Sequence, residues 1–305
     1  MAKPVVLLKK KSRLGDIIGL YFVLPFFVGL VFFKLIPIGY TFFLSLTNWD
    51  GFARRKTVIG FANYVRLFRD VNFYKSLWNT FLIWFMNVWF RMALALLCGV
   101  FFAQTKLRGR QIFKAVFYFP NLINTSSVVT LAYLLLDWQT GFVNKFLMRI
   151  HLISEPIYWL GVPVYTQSVV AFLIWWMWFG HSAILFTTGI LNIPGEIIES
   201  AWVDGANAWQ RFWKITMPML RPTFTYVFIT SLIGGLQNFD IPRVLDRHGL
   251  GSPDKSILTS VLQLYNLAFK TMQYGYASAY AFGLFIVIGL ITAFTYRLIN
   301  HKPNF

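Results

Sequence analysis

The chain has 305 residues, of which 57% are apolar and 13% charged, and its formal net charge is +17. So few charges cannot keep an apolar load that includes 33 Phe and 12 Trp in water, the same load excludes intrinsic disorder, and a single cysteine, Cys98, excludes a disulfide-stapled scaffold. What remains is an all-α polytopic membrane protein, with its basic residues set between apolar runs, where anionic lipid headgroups rather than nucleic acid are the expected partner.

Six apolar stretches predict transmembrane helices at about 14–46, 77–105, 113–137, 168–191, 223–241 and 276–299, forming one transmembrane domain over 1–305. At 1.5 Å per residue, about 20 residues cross a hydrocarbon core of ~30 Å. The first stretch exceeds that length and is expected to tilt or protrude; it contains Pro25 and Pro37, which remove backbone donors and favour kinks. Its basic flank, Lys9, Lys10, Lys11 and Arg13, precedes an apolar run too long for a cleavable signal, so a retained first helix with a cytoplasmic N-terminus is expected. Lys and Arg divide almost evenly between the two sides of the membrane. Orientation therefore rests on the two densest clusters, at the N-terminus and at 106–114, which put both termini and residues 192–222 in the cytoplasm. The segments 47–76, 138–167 and 242–275 become external loops, none large enough for a domain of its own.

Signatures of covalent chemistry are missing. The stretch from Gly249 to Ser256 has the outline of a phosphate loop, but Asp254 stands where a second glycine would admit phosphate, so it reads as an ordinary turn. His151, His181, His248 and His301 lie far apart in sequence, without metal-ligand spacing, and no hydrolase motif occurs. The chain is expected to be neither an enzyme nor a metal or cofactor binder.

The segment 192–222 carries the most information. Pro194 and Glu196 suit the start of a helix, Gly205 interrupts it, and a second amphipathic stretch with Arg211, Phe212, Trp213, Lys214 and Ile215 runs to Pro218 and Pro222. The result is a helix-turn-helix at the membrane surface. By residues alone it is either an interfacial connector or a docking face for a partner protein, the small residues 200, 201, 205, 206 and 208 favouring close approach.

Glu199-Ser200-Ala201, then Gly205, then Ile215-Thr216-Met217-Pro218 resembles the cytoplasmic coupling loop, or EAA loop, of bacterial ABC importer permeases. Ser200 and Met217 replace the pattern's Ala and Leu. Asp204-Gly205-Ala206 and Arg211 to Lys214 are similar to the carbohydrate-uptake branch, of the maltose and multiple-sugar type, as are Leu35-Ile36-Pro37, Phe119-Pro120, Gly141 to Asn144, Asn192-Ile193-Pro194, Phe239-Asp240 and Tyr274 to Ala279. The Gly-Gly-Pro usual in the loop after the fifth span is here Gly249-Leu250-Gly251-Ser252-Pro253, so nothing about that loop is carried over.

The resemblance implies a permease in a bacterial inner membrane. It would be half of a channel completed by a second homologous permease, driven by two ATPase subunits that hold the ATP and Mg, and fed carbohydrate by an extracellular binding protein. Glu199, Ser200, Ala201, Asp204, Gly205, Arg211, Phe212, Ile215 and Pro218 would couple it to the ATPases. Polar residues in or near spans usually face the bundle interior. Arg91, Asn121, Asn124, Gln237 and Asn238, with Asn87, are therefore either substrate-pathway candidates or interhelical hydrogen-bonding groups. Lys34 and Arg91 fall within spans, where a cation costs ~2.5–3.5 kcal/mol on insertion scales. They either snorkel, pair with acids of a partner, or line a path for an anionic substrate such as an acidic oligosaccharide or sugar phosphate. A self-sufficient secondary transporter is the competing class, but Asp137 and Asp240 sit near span ends rather than at mid-membrane.

Overall fold

The computed structural model describes residues 13–52, 56–104, 109–246 and 248–300. Lys9, Lys10, Lys11, Lys106, Arg108, Arg54, Arg55 and the tail from 301 lie outside them, so the clusters used for orientation are only partly described. Among the described residues the fold is helical, with one isolated antiparallel bridge between Thr47 and Val58.

The first expected span is a continuous rod made of α1 (Arg13–Leu30), a π-helical segment Val31–Leu35 and α2 (Ile36–Ser45). Pro37 explains the widened turn. Its ring displaces the carbonyl four residues back and it offers no N–H, so the helix takes up an extra residue before it. The same arrangement recurs before Pro218, where a π segment Phe212–Thr216 separates α10 (Ala208–Arg211) from α11 (Met217–Met219). None of the apolar window Tyr21–Ser45 is buried except at its C-terminal end, where Leu44 and Ser45 are covered and Phe42 meets Phe282 edge-on at 5.3 Å.

The bundle is built on α4 (Val71–Gln104) and α8 (Pro163–Leu191), which pack along most of their lengths. Small residues let helices approach closely where lipid supplies no hydrophobic drive. A Cβ on Gly180 of α8 would overlap the Phe117 carbonyl of α5 (Arg110–Leu122), so this crossing requires glycine. Against α4 lie α12 (Arg221–Leu236) and α15 (Tyr274–Asn300), the latter also packing on α2 and on α3 (Ala62–Leu67). Polar pins fix the ends. Tyr280 and Ser76 share a buried hydrogen bond of 2.6 Å, Tyr276 donates to Asp70 at 2.6 Å, and Asn63 donates to the Ser45 and Thr47 carbonyls.

Four described helices, Tyr21–Ser45, Val71–Ala103, Pro163–Leu191 and Tyr274–Asn300, are each long and apolar enough to cross a membrane alone. The other two expected spans are not continuous. The stretch 113–137 divides into α5 and α6 (Thr125–Leu135), because Asn124 turns out of the helix and accepts the Ser126 N–H at 2.8 Å as a cap. The stretch 223–241 ends at Leu236, after Gly234 and Gly235, and resumes as α13 (Asp240–Leu245). Pro242 cannot bond the Asn238 carbonyl, which instead accepts from Thr259 Oγ1 at 2.8 Å. The two displaced pieces, α6 and α13, pack on each other through Val128, Val129, Ala132, Ile241 and Leu245.

The loops are held rather than loose. Asn144 of α7 (Phe142–Arg149) binds Ile157 through both amide atoms and accepts from Trp159 Nε1 at 2.8 Å. Buried Asp246 accepts the N–H groups of Gly251 and Ser252 at 2.6 and 2.9 Å. In the stretch with a phosphate-loop outline, a carboxylate of the chain itself thus takes up donors that a phosphate would need.

The sidedness read from the sequence is directly measurable. In a Cys98→Ala background, an impermeant thiol reagent added to intact cells is expected to label Ser154→Cys and to leave Ser200→Cys unlabelled until the membrane is opened. Labelling of Ser200→Cys from outside would reverse the assignment.

Candidate functional site

Both helix breaks open onto one cavity of about 380 Å³ among α4, α5, α8 and α12. On α4, Trp84, Asn87 and Arg91 recur at helical spacing and share one face. On α8, Trp178, His181, Ser182 and Leu185 form the facing stripe. The first break contributes Asn121, Ile123 and Thr125, and the second contributes Gln237, Asn238, Phe239 and Asp240. Thr230 and Ser231 of α12 complete the polar wall, with Ser231 accepting from Trp84 Nε1 at 3.4 Å.

Four of the five pathway candidates, Arg91, Asn121, Gln237 and Asn238, therefore stand on one wall. Asn124 does not; its side chain is spent on the α6 cap. Asn87, singled out beside them in the sequence, stands there as well; its amide donates back to the Ile83 and Trp84 carbonyls while its oxygen has no partner among the described residues. The arrangement adds His181, which has no sequence neighbour that marks it and is recognisable only from the stripe it shares with Trp178, Ser182 and Leu185. Lys34 lies elsewhere, on the exposed π segment of the first rod. The wall mixes amides, hydroxyls and two indoles, a composition that can hydrogen-bond hydroxyl groups and stack against C–H faces.

The segment after α8 forms a second feature. Pro194 precedes α9 (Gly195–Val203) as its N-cap, just outside the helix rather than in its first turn. Gly205 closes α9 at φ +80, with Ala206 N–H bonding the Ala201 carbonyl and Gly205 N–H the Trp202 carbonyl. That left-handed closure is the reason for glycine here. The space around a Cβ is empty, so close approach of another part of this chain is not. Asn207 and Gln210 then cap α10 reciprocally, at 2.8 and 2.9 Å, and Arg211 donates to the Ala206 carbonyl at 2.6 Å, tying the turn to the next helix.

Ala201 is buried, and Ile198 of the same helix packs on the cluster of Ile190, Ile193 and Leu220. Glu199, Ser200, Asp204 and Gly205 are exposed, Arg211, Phe212 and Ile215 are half-buried, and Pro218 is exposed. Beside them stand large apolar side chains that motif reading passed over: Trp202, Val203 and Trp209 are 72%, 85% and 70% exposed. Gly205, Ala206, Gln210, Lys214 and Ile215 border a shallow groove on this face.

Residues 95–303 match the family model of the binding-protein-dependent transport system inner membrane component. The chain is 33% identical to a probable ABC transporter permease protein, YesP, of Bacillus subtilis, over 97% of this chain and 96% of that one. It is 32% identical to the lactose transport system permease protein LacF of Rhizobium radiobacter, over 92% and 93%. It is 31% identical to the multiple sugar-binding transport system permease protein MsmF of Streptococcus mutans, over 91% and 93%. In fold it is similar to a chain of a bacterial ABC transporter involved in the import of the acidic polysaccharide alginate, with a TM-score of 0.80 at 24% identity, covering 96% of this chain and all of that one.

The two neighbouring amides should separate on mutation. Loss of a helix cap costs about 1 kcal/mol, so Asn124→Ala is expected to lower the thermal midpoint of the purified protein and Asn124→Ser to restore most of it. Asn121→Ala, which removes no cap, is expected to leave the midpoint unchanged. Thermal unfolding in detergent reads all three.

Proposed function

The chain belongs to the family of binding-protein-dependent transport system inner membrane components, and from that membership we propose that it forms one half of the translocation pathway of an ATP-driven importer whose cargo is a carbohydrate, an oligosaccharide above all. The observation that carries this reading is that both helix breaks open onto one polar cavity. Irregular backbone at membrane depth is tolerated where it lines a cavity, and such breaks place amides and free backbone groups beside a solute. The names of the relatives, which specify lactose and multiple-sugar transport, favour saccharides.

The family is a transport component and not an enzyme, and ATP hydrolysis is assigned to two partner ATPases that hold the ATP and Mg. A second homologous permease would complete the pathway, and an extracellular binding protein would deliver the sugar. The protein resides in the bacterial inner membrane, with six crossings in one domain and both termini cytoplasmic. In this scheme α5 with α6, and α12 with α13, each count as one crossing.

The coupling face would be the exposed side of α9 and the turn after it, around Glu199, Ser200, Asp204 and Gly205, with Trp202, Val203 and Trp209 supplying apolar contact. Ala201 is buried beneath this face, and Ile198 of α9 packs on Ile190, Ile193 and Leu220. Ile190 lies in the last turn of α8, while Ile193 and Leu220 sit just after α8 and just before α12, so a push on α9 would reach the two helices that carry His181, Ser182, Thr230 and Ser231 on the cavity wall. Arg221 spreads the load, donating to the Ile299 carbonyl of α15 at 3.0 Å. Arg211, Phe212, Ile215 and Pro218 keep the second limb rigid.

A residue other than glycine in the left-handed region costs roughly 1–2 kcal/mol. Gly205→Leu is therefore expected to reach the membrane in normal amount while co-purifying fewer ATPase subunits and importing less sugar. Gly205→Asn, which accepts that conformation, should retain most of both. Normal co-purification and normal uptake by Gly205→Leu would refute the coupling role.

A further inference from the structure

Arg91 is 6% exposed, at mid-length in the longest described helix, and lines the cavity. No carboxylate pairs with it and no hydrogen-bond acceptor reaches its Nε among the described residues. A buried guanidinium is ordinarily paired, so its charge awaits a partner. It is not alone: Asn87 Oδ1 and Asn238 Nδ2 are also buried without partners, and both residues border the same cavity. Two donors, one of them on a cation, and one acceptor thus belong to residues bordering one cavity, and no described atom satisfies them. Trp84 and Trp178 stand beside them. Asp240, the acid on this wall, is exposed at the start of α13 and makes no ion pair with Arg91.

We propose that Arg91 is an anion-recognition residue of the pathway and that the cargo is an acidic saccharide rather than a neutral one. The proposal rests on the transporter reading above and specifies its substrate class. The guanidinium neutralises the acidic group from the cavity wall. The indoles of Trp84 and Trp178 cover the sugar's C–H face. Such a site is charge-complementary only when the anion is present, so a neutral sugar leaves the cation as unsatisfied as it is in the empty cavity. Charge outside the membrane agrees: the segments 47–76, 138–167 and 242–275 contain 12 Lys and Arg against 5 Asp and Glu, a bias that concentrates anions near the entrance.

The test uses the host strain with the gene deleted and restored as wild type, Arg91→Gln or Arg91→Lys. Cells receive a mixed pool of oligouronides and sulfonated glycosides with their neutral counterparts, and uptake is read by mass spectrometry per amount of assembled complex. Acidic members are expected to enter wild-type cells. Uptake should fall about tenfold or more in Arg91→Gln, the usual weight of a hydrogen bond to a charged group, and partly recover in Arg91→Lys. Entry of neutral members alone would overturn the proposal. So would undiminished acidic uptake by Arg91→Gln at equal assembly. A loss of assembled complex in Arg91→Gln, with wild-type uptake per remaining complex and recovery in Arg91→Lys, would make Arg91 a pairing residue for an acid on another subunit, and would overturn it too. Failure of wild-type cells to import any saccharide would instead sink the transporter reading, and this proposal with it.

Discussion

A backbone N–H or C=O inside a membrane has no water to bond, so a helix can stop there only where something else takes its place. That constraint shapes the architecture around the cavity. At the first break the Asn124 side chain satisfies the Ser126 N–H. At the second, the Asn238 carbonyl released by Pro242 is taken by the Thr259 hydroxyl. Each repair permits a short helix to leave the axis of its predecessor, and the two displaced helices, α6 and α13, meet through Val129 and Ile241. The cavity borders both breaks, and the polar residues there face it because the helical continuation that would have turned them elsewhere has ended.

The same breaks separate continuous packing from interrupted packing. The contact of α4 with α8 is closed by large buried side chains such as Val88, Phe186 and Val170 and is continuous. Beside it, α12 is anchored by Trp84 and Phe228, whose rings meet edge-on at 5.7 Å, yet ends in two glycines before the cavity. In the proposed coupling, a force arriving through Leu220 would travel along the sixteen residues of α12 to Gln237 and Asn238. The surface loop and the cavity thus lie at opposite ends of one helix, α12.

The first rod follows a different logic. From Tyr21 onward it carries exposed aromatic and aliphatic side chains all round, and it touches the bundle near its C-terminal end. Such a surface faces lipid or another membrane protein, and its hydrophobic length is set by the membrane rather than by packing within this chain.

Much of this was legible in the residues. Apolar run length, which depends on bilayer thickness alone, marks where the helices lie. The spacing of Glu199, Gly205 and Pro218 marks the surface loop, because capping, left-handed turns and proline are local effects written in adjacent residues. Asn121, Gln237 and Asn238 were recognisable as polar groups at membrane depth. What periodicity could not show is where a span breaks, since Asn124 and Pro242 act through partners as close as Ser126 and as distant as Thr259. Nor could it separate Asn121, on the cavity wall, from Asn124, three residues away and committed to a cap. His181 and the unpartnered charge of Arg91 became meaningful only when α4 and α8 were set side by side, because burial and the lack of a counter-charge are properties of the space between helices and not of either sequence.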